Sequence, residues 1–173
     1  MIMRPGQQQL LLPVNPRFLW GSLLAALLLA MVPLGRLAWL PDLLALVLVF
    51  WAVHQPQRIG IGTAFVFGLV MDVHQGTLLG QHALSYSLLA FCASLGHRRL
   101  LDYPLASQAL QVLPVFVLSH AVGLAIRMLG GGVFPGWALA LAPLIEAALW
   151  PLASALLLAP QLRTPEPDEN RPL

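Results

Sequence analysis

Three carboxylates stand in or at the edges of long apolar runs of this 173-residue chain: Asp42, Asp72 and Glu146. An ionisable group inside a membrane is costly unless paired, and marks a functional site by default. Five histidines could share in such chemistry. His120 lies in mid-segment beside Ser119, while His54, His74, His82 and His97 fall in expected turns. No two have the i, i+4 spacing that sets metal ligands on one helix face, so no metal is assigned. The single cysteine, Cys92, excludes an internal disulfide and a multi-cysteine metal site. The chain has no G-x-S-x-G elbow, no H-E-x-x-H, no Gly-rich phosphate loop and no soluble domain to hold a cofactor. The surviving enzymatic reading is an intramembrane aspartyl peptidase, with Asp42 and Asp72 as a dyad sharing one proton. That chemistry needs both carboxylates within hydrogen-bonding distance and room for a substrate helix.

The elements that must position these groups follow from composition. With 58% hydrophobic and 9% charged residues and a mean hydropathy of +0.79, the chain reads as an integral membrane protein of one domain. Every basic residue among the nine is Arg, and they are scattered, which excludes the basic stripe that nucleic acid requires. The pattern predicts an all-α polytopic membrane protein: a cytoplasmic tail at 1–17, a six-helix membrane domain at 18–160, and a disordered cytoplasmic tail at 161–173. The spans are expected at about 18–35, 41–55, from 58 to an outer connection at 74–82, then 83–96, 104–128 and 137–159. Pro41 suits a first helical turn, where Asp42 complements the helix dipole. His97 to Tyr103, with Arg98 and Arg99 together, reads as an inner loop. Pro143 and Pro151 predict a last span that is kinked or packed against neighbours. Seven arginines on the side of the termini against Arg36 and Arg127 opposite set the topology as N-in, C-in.

Depth ties the acids to that frame. With Arg58 as the inner marker, Asp42 lies roughly 24 Å and Asp72 roughly 21 Å above it, and Glu146 lies roughly 26 Å above Arg163. The expectation is a cluster near the outer surface: Arg36, Asp42, Asp72, Arg127 and Glu146. These groups would form packing salt bridges, and the helix start already explains Asp42. For Asp72 a contact with a partner protein or a lipid-linked headgroup is an equal alternative. The five tryptophans mostly fall near span ends, as in an interfacial belt.

Around Asp72 runs a row of small residues at intervals of four: Gly60, Ala64, Gly68, Asp72, Gly76 and Gly80. On a helix these share one face and leave its backbone bare. Such faces let helices approach closely in a bilayer, within one chain or against a partner.

Pro41-Asp42-Leu43-Leu44, Phe50-Trp51, then Gly60, Gly62, Phe65, Gly68, Asp72, Gly76, Leu79-Gly80 and Ala83-Leu84, with Leu149-Trp150-Pro151 near the end, resemble the rod shape-determining protein MreD family. Glu146 has no counterpart in that pattern, and the tail after Arg163 is proline-rich and acidic rather than basic. The resemblance implies a non-catalytic bacterial inner-membrane scaffold of the cell-elongation machinery. Its implied partners are MreC, the MreB filament, and RodA with its penicillin-binding transpeptidase, met within the lipid bilayer. It also implies an architecture similar to vitamin-transporter substrate-binding subunits, so such a subunit is the alternative function.

Overall fold

The computed structural model of the protein describes residues 15–32 and 39–161. Most of both expected tails, and Arg36, lie outside them. Six α-helices and no strand occur among the described residues: α1 (Pro16–Ala30), α2 (Leu43–His54), α3 (Ile61–Gln75), α4 (Gln81–Leu101), α5 (Leu105–Leu129) and α6 (Leu141–Leu158). A 3-10 turn at Trp137–Ala140 leads into α6, and another at Ala159–Gln161 follows it.

Local chemistry sets these boundaries. Asn15 accepts the Arg17 amide at 3.0 Å, and Pro16 has no amide to leave unpaired, so α1 begins ahead of the expected Phe18. Asp42 caps α2 by accepting the Ala45 amide at 3.0 Å. The stretch His97 to Tyr103 is not the loop expected: α4 continues to Leu101, with Arg98 and Arg99 in its last turn. Cations there complement the carbonyl end of a helix, so one sequence signal fits both a basic loop and a basic helix terminus. Pro143 sits in the first turn of α6, where an amide would lack an intrahelical partner anyway, and Pro151 lies inside the helix.

The core is organised around α2. It packs against α1, α4 and α6, and every residue from Leu48 to Val53 is buried. A helix apolar on all sides has to be enclosed, and α2 is enclosed by protein. Its 12 residues reach only about 18 Å, short of the roughly 30 Å of a bilayer core.

Trp51 is fully buried, edge-on to Phe50 at 5.0 Å and to Phe18 at 6.1 Å. Its indole donates to Ser22 Oγ at 2.8 Å, tying α2 to α1. Trp150 is also fully buried and donates to Gln108 Oε1 at 3.1 Å, tying α6 to α5. These two correct the expectation of an interfacial belt, because each buried N–H has an internal acceptor. Trp20, Trp39 and Trp137 are exposed, as that expectation has them.

Two segments, Leu105–Leu129 and Trp137–Gln161, are long and apolar enough to cross a membrane by length and composition. The outward faces of the bundle are apolar as well, with Leu28, Val66, Val73, Leu95, Leu110 and Leu156 all exposed. Asp72, Ser85, Gln108, Ser119, Glu146 and Ser154 are buried.

Candidate functional site

The row of small residues does not run along one helix. α3 stops at Gln75 because Gly76 turns left-handed, with φ of 61° and its amide bonded to the Asp72 and Val73 carbonyls. Gly80, with φ of 103°, is the residue before α4. Both conformations are strained for a side chain, which accounts for glycine at these two positions. Fourfold spacing therefore continues past the end of the helix into a turn. Gly60 is the N-cap of α3, and the helical part of the row is Ala64, Gly68 and Asp72.

That shorter face is occupied by the chain itself. A β-carbon at Gly68 would overlap the Ala83 backbone and lie 2.7 Å from the His82 carbonyl carbon. The first turn of α4 thus lies directly on the α3 backbone, and Asp72, one turn on, reaches its free amides. Asp72 Oδ2 accepts from the Gly80 amide at 2.8 Å and the Ala83 amide at 3.3 Å. Its Oδ1 accepts from the His82 amide at 2.7 Å, the Thr77 hydroxyl at 3.0 Å and His82 Nδ1 at 2.8 Å. Gly80 has no side chain with which to cap α4, so a carboxylate from the preceding helix does so and sets its charge against the dipole. Asp72 is fully buried with both oxygens engaged. It is not placed to meet a partner protein or a lipid headgroup, because its own chain takes up every acceptor position.

The other two acids meet at the N-terminus of α2. Glu146 Oε1 accepts the Asp42 amide at 2.8 Å and lies 2.9 Å from His120 Nε2. Tyr86 donates its hydroxyl to Asp42 Oδ2. The His82 and Tyr86 rings stand edge to face at 5.8 Å, linking this group to the first. The shared depth expected for the three acids is thus realised for Asp42 and Glu146 as direct contact. The partner expected in Arg127 is not. Among the described residues the basic side chains that contact these acids are His82, on Asp72, and His120, on Glu146; Arg127 joins no acid, and Arg36 lies outside them. Histidine and tyrosine suit the place physically, since they carry a donor on a short, stiff side chain and bury less charge than a guanidinium.

Asp42 and Asp72 do not form a dyad. Tyr86 and Ala45 hold the first, the turn before α4 holds the second, and no hydrogen bond joins them. Of the residues that carried the family resemblance, Trp150 is core and Pro151 is inside α6. Phe65 is 44% exposed, and a side chain at Gly62 would meet open space, so these two face outward. Pro41 precedes the Asp42 cap.

Sequence reasoning missed His82, Tyr86, His120 and Thr77 as partners. An available signal was depth: His120 is the ionisable group in mid-segment on α5, and Glu146 needed a counterpart at that level.

A helical bundle with many exposed apolar side chains and with Asp72 and Glu146 buried describes a membrane protein whose acids brace helices. A family model, described as rod shape-determining protein MreD, matches residues 14–159. The chain is 30% identical over 145 residues to the rod shape-determining protein MreD of Haemophilus influenzae, covering 80% of this chain and 89% of that one. The chain belongs to the MreD family. No solved structure matches it.

Proposed function

We propose that the protein is a non-catalytic scaffold and regulatory subunit of the machinery that elongates rod-shaped bacterial cells, spanning the inner membrane six times. Family membership supports a part in rod-shape determination. The observation that supports the scaffold reading is that Asp42, Asp72 and Glu146 each accept from donors of the chain itself and so tie its helices together. Arg17, Arg58, Arg98 and Arg99 lie at or beside the ends of α1, α3 and α4 opposite the acid cluster, and Arg127 lies in the last turn of α5. With helices alternating in direction, that arrangement supports the N-in, C-in topology.

Partners then engage apolar helix flanks within the bilayer. The outward face of α3, with Gly62, Phe65, Val66, Val70 and Val73, is suited to a single-span partner such as MreC. MreB and RodA with its penicillin-binding transpeptidase complete the assembly. Depletion of the protein from a rod-shaped host, followed by microscopy, tests the role: rounding of the cells is expected, and unchanged rods at full depletion would refute it. Co-purification of MreC should fall with Phe65→Ala at unchanged protein level, and an undiminished complex would remove the α3 flank from the proposal.

A further inference from the structure

Two helices carry a proline in their interior, and the backbone groups they free stand in different surroundings. Pro151 of α6 leaves the Ala147 carbonyl without its amide, but Ala147 is buried among protein. Pro114 of α5 does the same to the Leu110 carbonyl. Leu110 is 73% exposed and Pro114 is exposed as well, so that turn faces outward. The polar side chains of α5 nearby are engaged elsewhere: Gln108 donates to the Tyr103 carbonyl, Ser119 to the Ser85 carbonyl, and His120 Nε2 is held by Glu146.

Depth makes the freed carbonyl costly. The 25 residues of α5 reach about 37 Å, against a hydrocarbon core of about 30 Å, so Leu110 and His120, roughly 8 Å and 22 Å along the helix, both lie inside that core. Acyl chains offer no donor there, and a proline in a spanning helix is tolerated where neighbouring groups satisfy the carbonyl it frees.

The surface beside this turn has room for such a neighbour. Leu113, Pro114, Val117, Leu118 and Ala121 bound an apolar hollow of about 570 Å³. Through Val117 and Ala121 it runs into a smaller cleft of about 210 Å³, which His120 lines and Phe134 and Trp137 wall, edge to face at 5.5 Å. A helix about 10 Å across lies along the hollow, and only one of its side chains enters the cleft. With Nε2 on Glu146, the Nδ1 of His120 is left for that side chain. The carbonyl and the imidazole are ~12 Å apart along the axis, close to two helical turns. A hydroxyl or a carboxamide suits both, since each donates to a carbonyl and exchanges a hydrogen bond with an imidazole nitrogen.

We propose that the hollow of α5 receives a transmembrane helix of another protein, which carries two hydroxyl or carboxamide side chains two turns apart on an otherwise apolar face. The inner one bonds the Leu110 carbonyl and the outer one enters the cleft beside His120. Such bonds and close packing hold helices together where lipid leaves no hydrophobic drive. α4 packs between α3 and α5, so this face is separate from the α3 flank. The inference rests on the scaffold reading for the existence of a membrane partner and adds a second contact face to it.

A photo-crosslinking residue in place of Val117, itself exposed, tests the assignment in growing cells, with the cross-linked peptide read by mass spectrometry. The expected adduct is a transmembrane segment of another protein with two such polar side chains at that spacing. Pro114→Ala returns an amide to the Leu110 carbonyl without filling the hollow and should cut the adduct yield roughly fivefold. The same change should raise the unfolding midpoint of the purified chain, because it removes a proline from a helix interior, so the lost yield is not lost folding. Ala121→Trp, which fills the hollow, should cut the yield as well. A lipid adduct, an adduct to a second copy of this chain, a partner segment without those polar side chains, or a yield unchanged by Pro114→Ala would overturn the proposal. Cells that round on depletion while position 117 yields only lipid would refute this inference and leave the scaffold reading standing.

Discussion

Replacing Asp72 with Asn keeps the shape of the side chain and removes one of its two acceptor oxygens. The carboxylate receives two backbone amides on Oδ2, and an amide, a hydroxyl and an imidazole on Oδ1. Whichever way the new carboxamide turns, its NH₂ faces at least two N–H or O–H donors. Bonds to a charged acceptor contribute about 1.5–3 kcal/mol each, and buried donors left without one cost about 1–3 kcal/mol each. Losing the charge at the start of α4 removes about 0.3–1 kcal/mol more. A total near 3–6 kcal/mol is expected, since the losses overlap. For a domain of this size that lowers the midpoint of thermal unfolding by on the order of 10 °C, readable by tryptophan fluorescence in detergent. His82→Ala alone should cost less, and the two changes together should cost less than their sum, because they remove one shared contact. A midpoint for Asp72→Asn within about 2 °C of the parent would refute the reasoning.

Other changes probe neighbouring parts of the frame. Gly68→Ala should destabilise by about 2–3 kcal/mol, since the new methyl meets α4 backbone, whereas Gly62→Ala should stay within about 0.5 kcal/mol; equal effects in denaturation would put α4 somewhere else. Gly76→Ala should cost about 1–2 kcal/mol through its left-handed φ, with Gly76→Asn milder, and the same measurement decides it. Tyr86→Phe leaves Asp42 Oδ2 without its donor and should cost about 1.5–3 kcal/mol. Ser22→Ala removes the acceptor of the Trp51 indole and should cost about 1 kcal/mol.

The legible parts of this chain were local or compositional. Asp42 was readable as a helix start because Pro41 and an acid are a local signal, and the structure shows the cap bond. The common depth of Asp42 and Glu146 was readable because helical rise is regular, and the two meet. Partner identity was not readable. Topology put Arg127 at the level of the acids, yet the donors that reach them among the described residues come from His82, Tyr86 and His120, which the crossing of helices brings there. The small-residue row misled for a definite reason. A glycine four residues after an acid extends a helical face, and it also ends a helix when it turns left-handed; Gly76 does the second. The cap from α3 onto α4 spans only eight to eleven residues, yet it has no short sequence signature, because it depends on Gly68 letting the next helix lie against it.

Complementation of a depleted rod-shaped host by Asp72→Asn, at growth conditions that bring folded protein to the parental level, separates bracing from presentation. If the acid serves only to hold α3 and α4 together, cells with equal amounts of folded variant regain rod shape. Round cells containing variant protein that is folded, abundant and inserted would show that Asp72 meets something beyond its own chain, and would contradict the account.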